Sequence, residues 1–171
     1  MAEKVVNAVN HCLNKDYNMP YRSCQTANVI IKGGAIGDIQ AFKRDLLSKA
    51  TKLGLGAFEV SYLTHTYGTQ ALQIIEYFSR DAQLGVSTEN DPETMLARAE
   101  LQFCLEHESV HHFTDFFTRR TVRMHFEPAS VPKLIDPLST YAASMLGWDN
   151  NRIIEEKKEV ERGLKASVNF E

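Results

Sequence analysis

A chain of 171 residues with 43% hydrophobic and 24% charged side chains is long enough to bury about 70% of its unfolded surface, and its composition excludes the disordered, collagenous and membrane-spanning classes. A formal net charge of −3 excludes a nucleic-acid-binding surface covering the whole molecule. Three widely spaced cysteines, Cys12, Cys24 and Cys104, form no C-x-x-C pair, which points to a reducing compartment.

The N-terminus lacks the unbroken apolar run of a signal peptide, and no later window reaches the ~18 apolar residues of a membrane span. The expectation is a cytosolic chain whose membrane contacts are at most peripheral. Val5, Val6, Val9, Cys12 and Leu13 share one side of a helix over about Ala2 to Asn14. Residues 15 to 40 change character, with Pro20, Gly33, Gly34 and Gly37 around the β-prone run Val29-Ile30-Ile31, and read as a connector with a short extended segment near residues 27–32.

Asp38 can cap a second helix carrying Ile39, Phe42, Leu46, Leu47, Ala50 and Leu53, with Gly54 where a left-handed terminator is wanted. Phe58, Tyr62 and Leu63 predict a short helix ending near Gly68, and Thr69 opens another carrying Ala71, Leu72, Ile75 and Phe78. After a break from Gly85 to Asp91, Pro92 starts a long helical run from about Glu93 to Arg120, with an interruption near Ser109. Ser130 and Pro132 begin a further helix that Gly147 ends, and Asp149 caps the last one. In that last helix Glu155 with Lys158, Glu159 with Arg162 and Glu161 with Lys165 read as a solvated face. The fold class is therefore mainly α, a multi-helix orthogonal bundle.

Within the long run, His107-Glu108-Ser109-Val110-His111 fits H-E-x-x-H, where two imidazoles one helical turn apart hold zinc and the glutamate acts as general base. No longer zincin signature follows, and three fixed letters arise easily in a chain with six histidines. Phe103, Val110, Phe113 and Phe117 recur on one side and read as core, while Glu100, Cys104, Glu108, His111, Asp115 and Arg119 form a polar stripe on a helix turning about 100° per residue. Arg119, Arg120 and Arg123 can form an anion or membrane-surface patch; the competing reading pairs them with Glu108, Asp115 or Glu127. Gly33-Gly34-Ala35-Ile36-Gly37 is neither G-x-G-x-x-G nor a phosphate loop.

Ala99-Glu100-Leu101, Glu108, Asp115, Thr118-Arg119-Arg120-Thr121 and Leu146-Gly147-Trp148-Asp149, in this order and spacing, resemble the C-terminal helical domain of FAD-dependent glycerol-3-phosphate dehydrogenases and α-glycerophosphate oxidases. Tyr67-Gly68 with Ala71, Cys24-Gln25-Thr26 before Gly33-Gly34, and Met1-Ala2-Glu3 with Val5-Val6 extend the match over nearly the whole chain.

The resemblance implies a fragment in which residues 1–16 are an orphaned helix from the end of the flavin domain, 17–37 a connector and 38–171 the C-terminal helical domain. The parent enzyme would use FAD to oxidise glycerol 3-phosphate to dihydroxyacetone phosphate, passing electrons to quinone or to oxygen, a choice left open here. No catalytic, cofactor-binding or metal-binding residue carries over; Glu100, Glu108, Asp115, Arg119 and Arg120 match the family pattern as a structural polar network. The implied partner is the flavin domain of the same polypeptide, with a homodimer and a peripheral contact at the inner face of the cell membrane as further options and no nucleic acid. The competing readings are a zinc hydrolase built on His107, Glu108 and His111, and a stand-alone helical interaction module.

Overall fold

A computed structural model describes residues 1–20, 24–84 and 91–168; the predicted break at 85–90 lies outside them. The chain divides into two compact units, Met1–Ala35 and Ile36–Glu171. No strand occurs among the described residues, and the protein is mainly α, as the periodicity predicted.

In the first unit α1 (Ala2–Tyr17) runs one turn further than predicted and stops at Asn18, whose φ of 53° turns the chain left-handed. None of its residues is buried, and Val5, Val6 and Val9 are each more than half exposed. The β-prone Val29-Ile30-Ile31 joins no sheet: it lies exposed between a turn closed by Asn28 N–H on the Gln25 carbonyl and one closed by Gly34 N–H on the Ile31 carbonyl. β-branched side chains need a neighbouring strand before their propensity counts, and here none is offered.

The second unit holds α2 (Ile39–Ala50), α3 (Ala57–Tyr67), α4 (Ala71–Leu84), α5 (Pro92–His107), α6 (Arg123–Phe126), α7 (Val131–Leu146) and α8 (Asn150–Val168). Their ends follow local chemistry. The Asp38 carboxylate accepts from Gln40 and Ala41 N–H, Asp91 from Thr94 N–H and Asp149 from Arg152 N–H, each satisfying donors that the first helical turn leaves free. Gly54 (φ 81°) and Gly147 (φ 69°) supply the left-handed residues that end a 3₁₀ turn after α2 and end α7, a conformation that a Cβ would strain. Helix α5 packs on α4 and α7, and Leu46, Leu63, Ile74, Leu101, Phe103, Leu134 and Leu138 fill the core between these elements.

The long helix expected from Glu93 to Arg120 is instead two pieces. Helix α5 stops at His107, Ser109 adopts a φ of 54°, and the chain resumes in a π-helical turn, Asp115–Arg120, closed by Thr121 N–H on the Phe116 carbonyl. The reason lies in the aromatic residues. On an unbroken helix Phe116 would sit about 140° from Phe103 and face water. The break and the wider π turn bury Phe113, Phe116 and Phe117 together, with ring centroids 6.1 Å apart for Phe113 and Phe117 and 5.2 Å for Phe116 and Phe117. Trp148 closes on Phe113 edge-to-face at 5.5 Å.

Candidate functional site

The deepest polar feature is centred on Glu100, which α5 carries into the core and which is wholly buried. Tyr62 and Tyr67, both on α3, donate their hydroxyls to its Oε1 at 2.7 and 2.9 Å. Its Oε2 lies 3.5 Å from Nη2 of Arg123, the first residue of α6. The Arg123 Nη1 also reaches Glu93 at 3.2 Å and Glu127 at 3.1 Å, near the surface. Burial pushes the Glu100 carboxyl above its ordinary range, opposed by Arg123 and the two tyrosyl hydroxyls. The same burial, reinforced by the Glu100 charge, raises both tyrosines, so the hydroxyls remain donors.

Arg123 reaches this position through strain. Val122, a β-branched residue, has φ 50°, and it turns the chain out of the π segment so that α6 begins with its guanidinium aimed at α5. A left-handed conformation costs an L-residue about 1–2 kcal/mol. The buried ion pair holds it there.

The polar stripe predicted along one continuous helix does not exist as such, because the helix breaks. Glu100 belongs to the Arg123 cluster, whereas Glu108 receives Arg120, by Nη1 at 3.6 Å to its carboxylate and by Nη2 at 2.7 Å to its carbonyl. Cys104 Sγ also lies 3.5 Å from Glu108, and burial pushes its thiol well up. Asp115 pairs with Arg119 at 2.7 Å on the exposed side of the π turn. These five residues therefore occupy three separate places. The basic patch dissolves likewise: Arg119, Arg120 and Arg123 each have a carboxylate partner, and Arg123 is nine-tenths buried.

The zinc reading fails on geometry. His107 is the last residue of α5, and the left-handed Ser109 separates it from His111, so the two imidazoles do not face the same side one helical turn apart. The His107 Nε2 lone pair is already taken: the Gln73 side-chain nitrogen lies 2.6 Å from it and 2.7 Å from the Tyr77 hydroxyl, which in turn donates to Glu106. No group of three candidate ligands converges among the described residues.

Two further buried clusters escaped the sequence reading. Glu156 of α8, 3% exposed, accepts the Phe113 N–H at 2.9 Å, the His112 Nδ1 at 2.8 Å and Arg152 at 2.6 Å, and so pins the segment between α5 and the π turn. Asp81 of α4 meets Arg98 of α5 at 3.0 Å, with the Arg98 guanidinium 4.3 Å above the Tyr141 ring. Glu156 sits within the charge run taken for a solvated face. The available signal was Val160, four residues on and wholly buried.

A flavin dinucleotide does not fit the described residues. Its pyrophosphate needs free N–H groups at a helix start behind a glycine turn. Here the only helix behind such a turn is α2, and its Gln40 and Ala41 N–H groups already point at the Asp38 carboxylate, which would repel a phosphate. Gly34 is equally closed, since a Cβ there would lie 3.1 Å from the Ile31 carbonyl oxygen.

Comparison with known proteins agrees with this division. Residues 24–153 match the family model described as the C-terminal domain of alpha-glycerophosphate oxidase. The aerobic glycerol-3-phosphate dehydrogenases of Staphylococcus aureus strains bovine RF122 / ET3-1 and MRSA252 are each 27% identical, over 98% of this chain and 30% of their own length. The crystal structure of the glycerol-3-phosphate dehydrogenase from Bacillus halodurans, complexed with FAD, superposes with a TM-score of 0.78 at 27% identity, covering 99% of this chain and 34% of that one. The chain thus spans about a third of the length of the relatives it matches. With more than half of its residues matched by the family model and the helical fold shared, the chain belongs to the family of the alpha-glycerophosphate oxidase C-terminal domain.

Proposed function

We propose that this chain serves as the non-catalytic, helical C-terminal part of an FAD-dependent enzyme that oxidises glycerol 3-phosphate to dihydroxyacetone phosphate, with the flavin held by the remainder of the polypeptide. The observation carrying this reading is the coverage: almost all of this chain aligns with under a third of each dehydrogenase, while its own helix starts offer no pyrophosphate cradle. In this reading the Glu100, Glu108, Asp115, Arg119 and Arg120 positions are architectural, setting the relative placement of α3, α5 and α6 and of the π turn.

Residues 1–16 then belong with the flavin-binding part, 17–37 form a connector and 38–171 the helical domain. Two observations support this: the family model begins at residue 24, and α1 buries none of its side chains. The exposed Val5, Val6 and Val9 form an apolar face suited to that part of the enzyme. No helix among the described residues is long and apolar enough to cross a membrane. The proposed location is cytoplasmic, at the inner face of the cell membrane by peripheral contact, and the proposed assembly a homodimer.

The test joins this chain to the part of a Staphylococcus aureus dehydrogenase that precedes its matching third. The chain alone is expected to show no flavin absorbance and no oxidation of glycerol 3-phosphate with a dye acceptor, and the fusion to show both. Stoichiometric flavin on the isolated chain, or a folded, flavin-loaded fusion without activity, overturns the reading.

A further inference from the structure

Beside the Glu100–Arg123 pair lies a cavity of about 220 Å³, below the ~300 Å³ at which pockets begin to take drug-sized ligands but ample for one amino-acid side chain. Phe58, Tyr62 and Leu96 form its apolar wall, and Glu59, Glu93 and Glu127 bring carboxylates to it. Phe58 is the second residue of α3 and is 73% exposed, so the folded unit gains nothing by burying it, yet it stands at this opening. Arg123 completes the wall. It is nine-tenths buried, and its Nε has no hydrogen-bond partner among the described residues.

Charge decides what such a cavity accepts. A single guanidinium serves the three carboxylates of Glu93, Glu100 and Glu127, while Glu59 is bound only to the Gly56 N–H at 2.9 Å. No lysine and no histidine lines the opening. Negative charge is therefore in excess in a partly desolvated space, which repels phosphate and carboxylate and attracts a cation. The rings of Phe58 and Tyr62 offer faces that stabilise a cation further. The vacant Arg123 N–H asks for an acceptor beside that cation, such as the carbonyl of a peptide.

We propose that this cavity is a docking point for a lysine or arginine side chain of another protein segment, its cationic head among Glu59, Glu93 and Glu127 and its stem against Phe58 and Leu96. This assignment is independent of the enzymatic reading above. It concerns only the surface formed by α3, the start of α5 and α6.

The experiment titrates the whole chain with n-butylammonium and, separately, with n-butanol as a neutral probe of the same length, following the aromatic resonances of Phe58 and Tyr62 by NMR. The ammonium is expected to shift both saturably at low salt, the alcohol to shift neither, and 0.5 M salt to weaken the effect. Phe58→Ala, at a position too exposed to unfold the protein, is expected to weaken ammonium binding about two- to fivefold. Glu59→Gln, which keeps a side-chain acceptor for Gly56, is expected to weaken it as well. Equal shifts from both probes, no shift from either, or a Phe58→Ala variant that binds ammonium unchanged would overturn the proposal.

Discussion

Arg123→Met removes the only cation that meets the buried Glu100 carboxylate and leaves a side chain of similar length in its place. The two rim pairs it also loses, to Glu93 and Glu127, involve side chains that are 42% and 51% exposed, and each contributes under about 1 kcal/mol. Glu100 is different, since its side chain is fully enclosed and Oε2 has no hydrogen-bond donor to replace the guanidinium. Stranding one member of a buried pair costs about 3–5 kcal/mol. In a chain of this size that corresponds to a fall in Tm of about 6–20 °C.

The pH dependence carries a sign. Without Arg123 the folded-state pKa of Glu100, already raised by burial, rises further. A carboxyl raised in the folded state adds stability below its unfolded value, near 4.3, and that stability is lost as pH climbs through the folded value. The deficit of the variant relative to the parent should therefore widen from pH 5 to pH 8. Urea unfolding at several pH values measures it, and Glu100→Gln added to the variant should recover most of the loss at pH 8. A single variant within about 1 kcal/mol of the parent at pH 8 would refute the claim that this pair organises the site.

Val122→Gly relieves the left-handed strain at an exposed position and should stabilise the protein by about 0.5–1 kcal/mol after the added unfolded-state entropy is counted, seen as a Tm rise of a few degrees. A fall in Tm would mean the backbone there is not strained. Phe116→Ala should cost about 3–5 kcal/mol by urea unfolding, as should Phe117→Ala, because the π turn buries both rings completely. A near-neutral Phe116→Ala would restore the unbroken helix and its outward-facing ring. Asp91→Ala should cost about 0.5–2 kcal/mol through loss of the cap on α5. The hydroxyl and backbone N–H of Thr94 hold the Asp91 carboxyl below its ordinary range, so its contribution is present above about pH 4 and is lost as pH falls further. Acid titration of the stability difference checks it.

Local chemistry alone determined much of this protein. Aspartates 38, 91 and 149 cap the helices they precede, Gly54 and Gly147 end the ones they follow, and the apolar spacing of Leu134, Ile135, Leu138 and Ala142 placed α7 against the core. Caps and periodicity act within one or two turns, so they are legible without knowing what the helix packs on. The apolar character of Phe103, Val110, Phe113 and Phe117 was legible for the same reason.

Only the tertiary structure decided where the long run breaks, because the break serves Phe116, whose burial requires a surface that exists only when the other helices are assembled. The same holds for the charges. Arg119, Arg120 and Arg123 are near neighbours in sequence, yet one meets exposed Asp115, one Glu108 and one the buried Glu100. Tyr62 finds Glu100 across 38 residues and Glu156 finds Phe113 across 43. Attraction between buried charged groups depends on the distance and solvation that folding imposes, and residue spacing along the chain encodes neither.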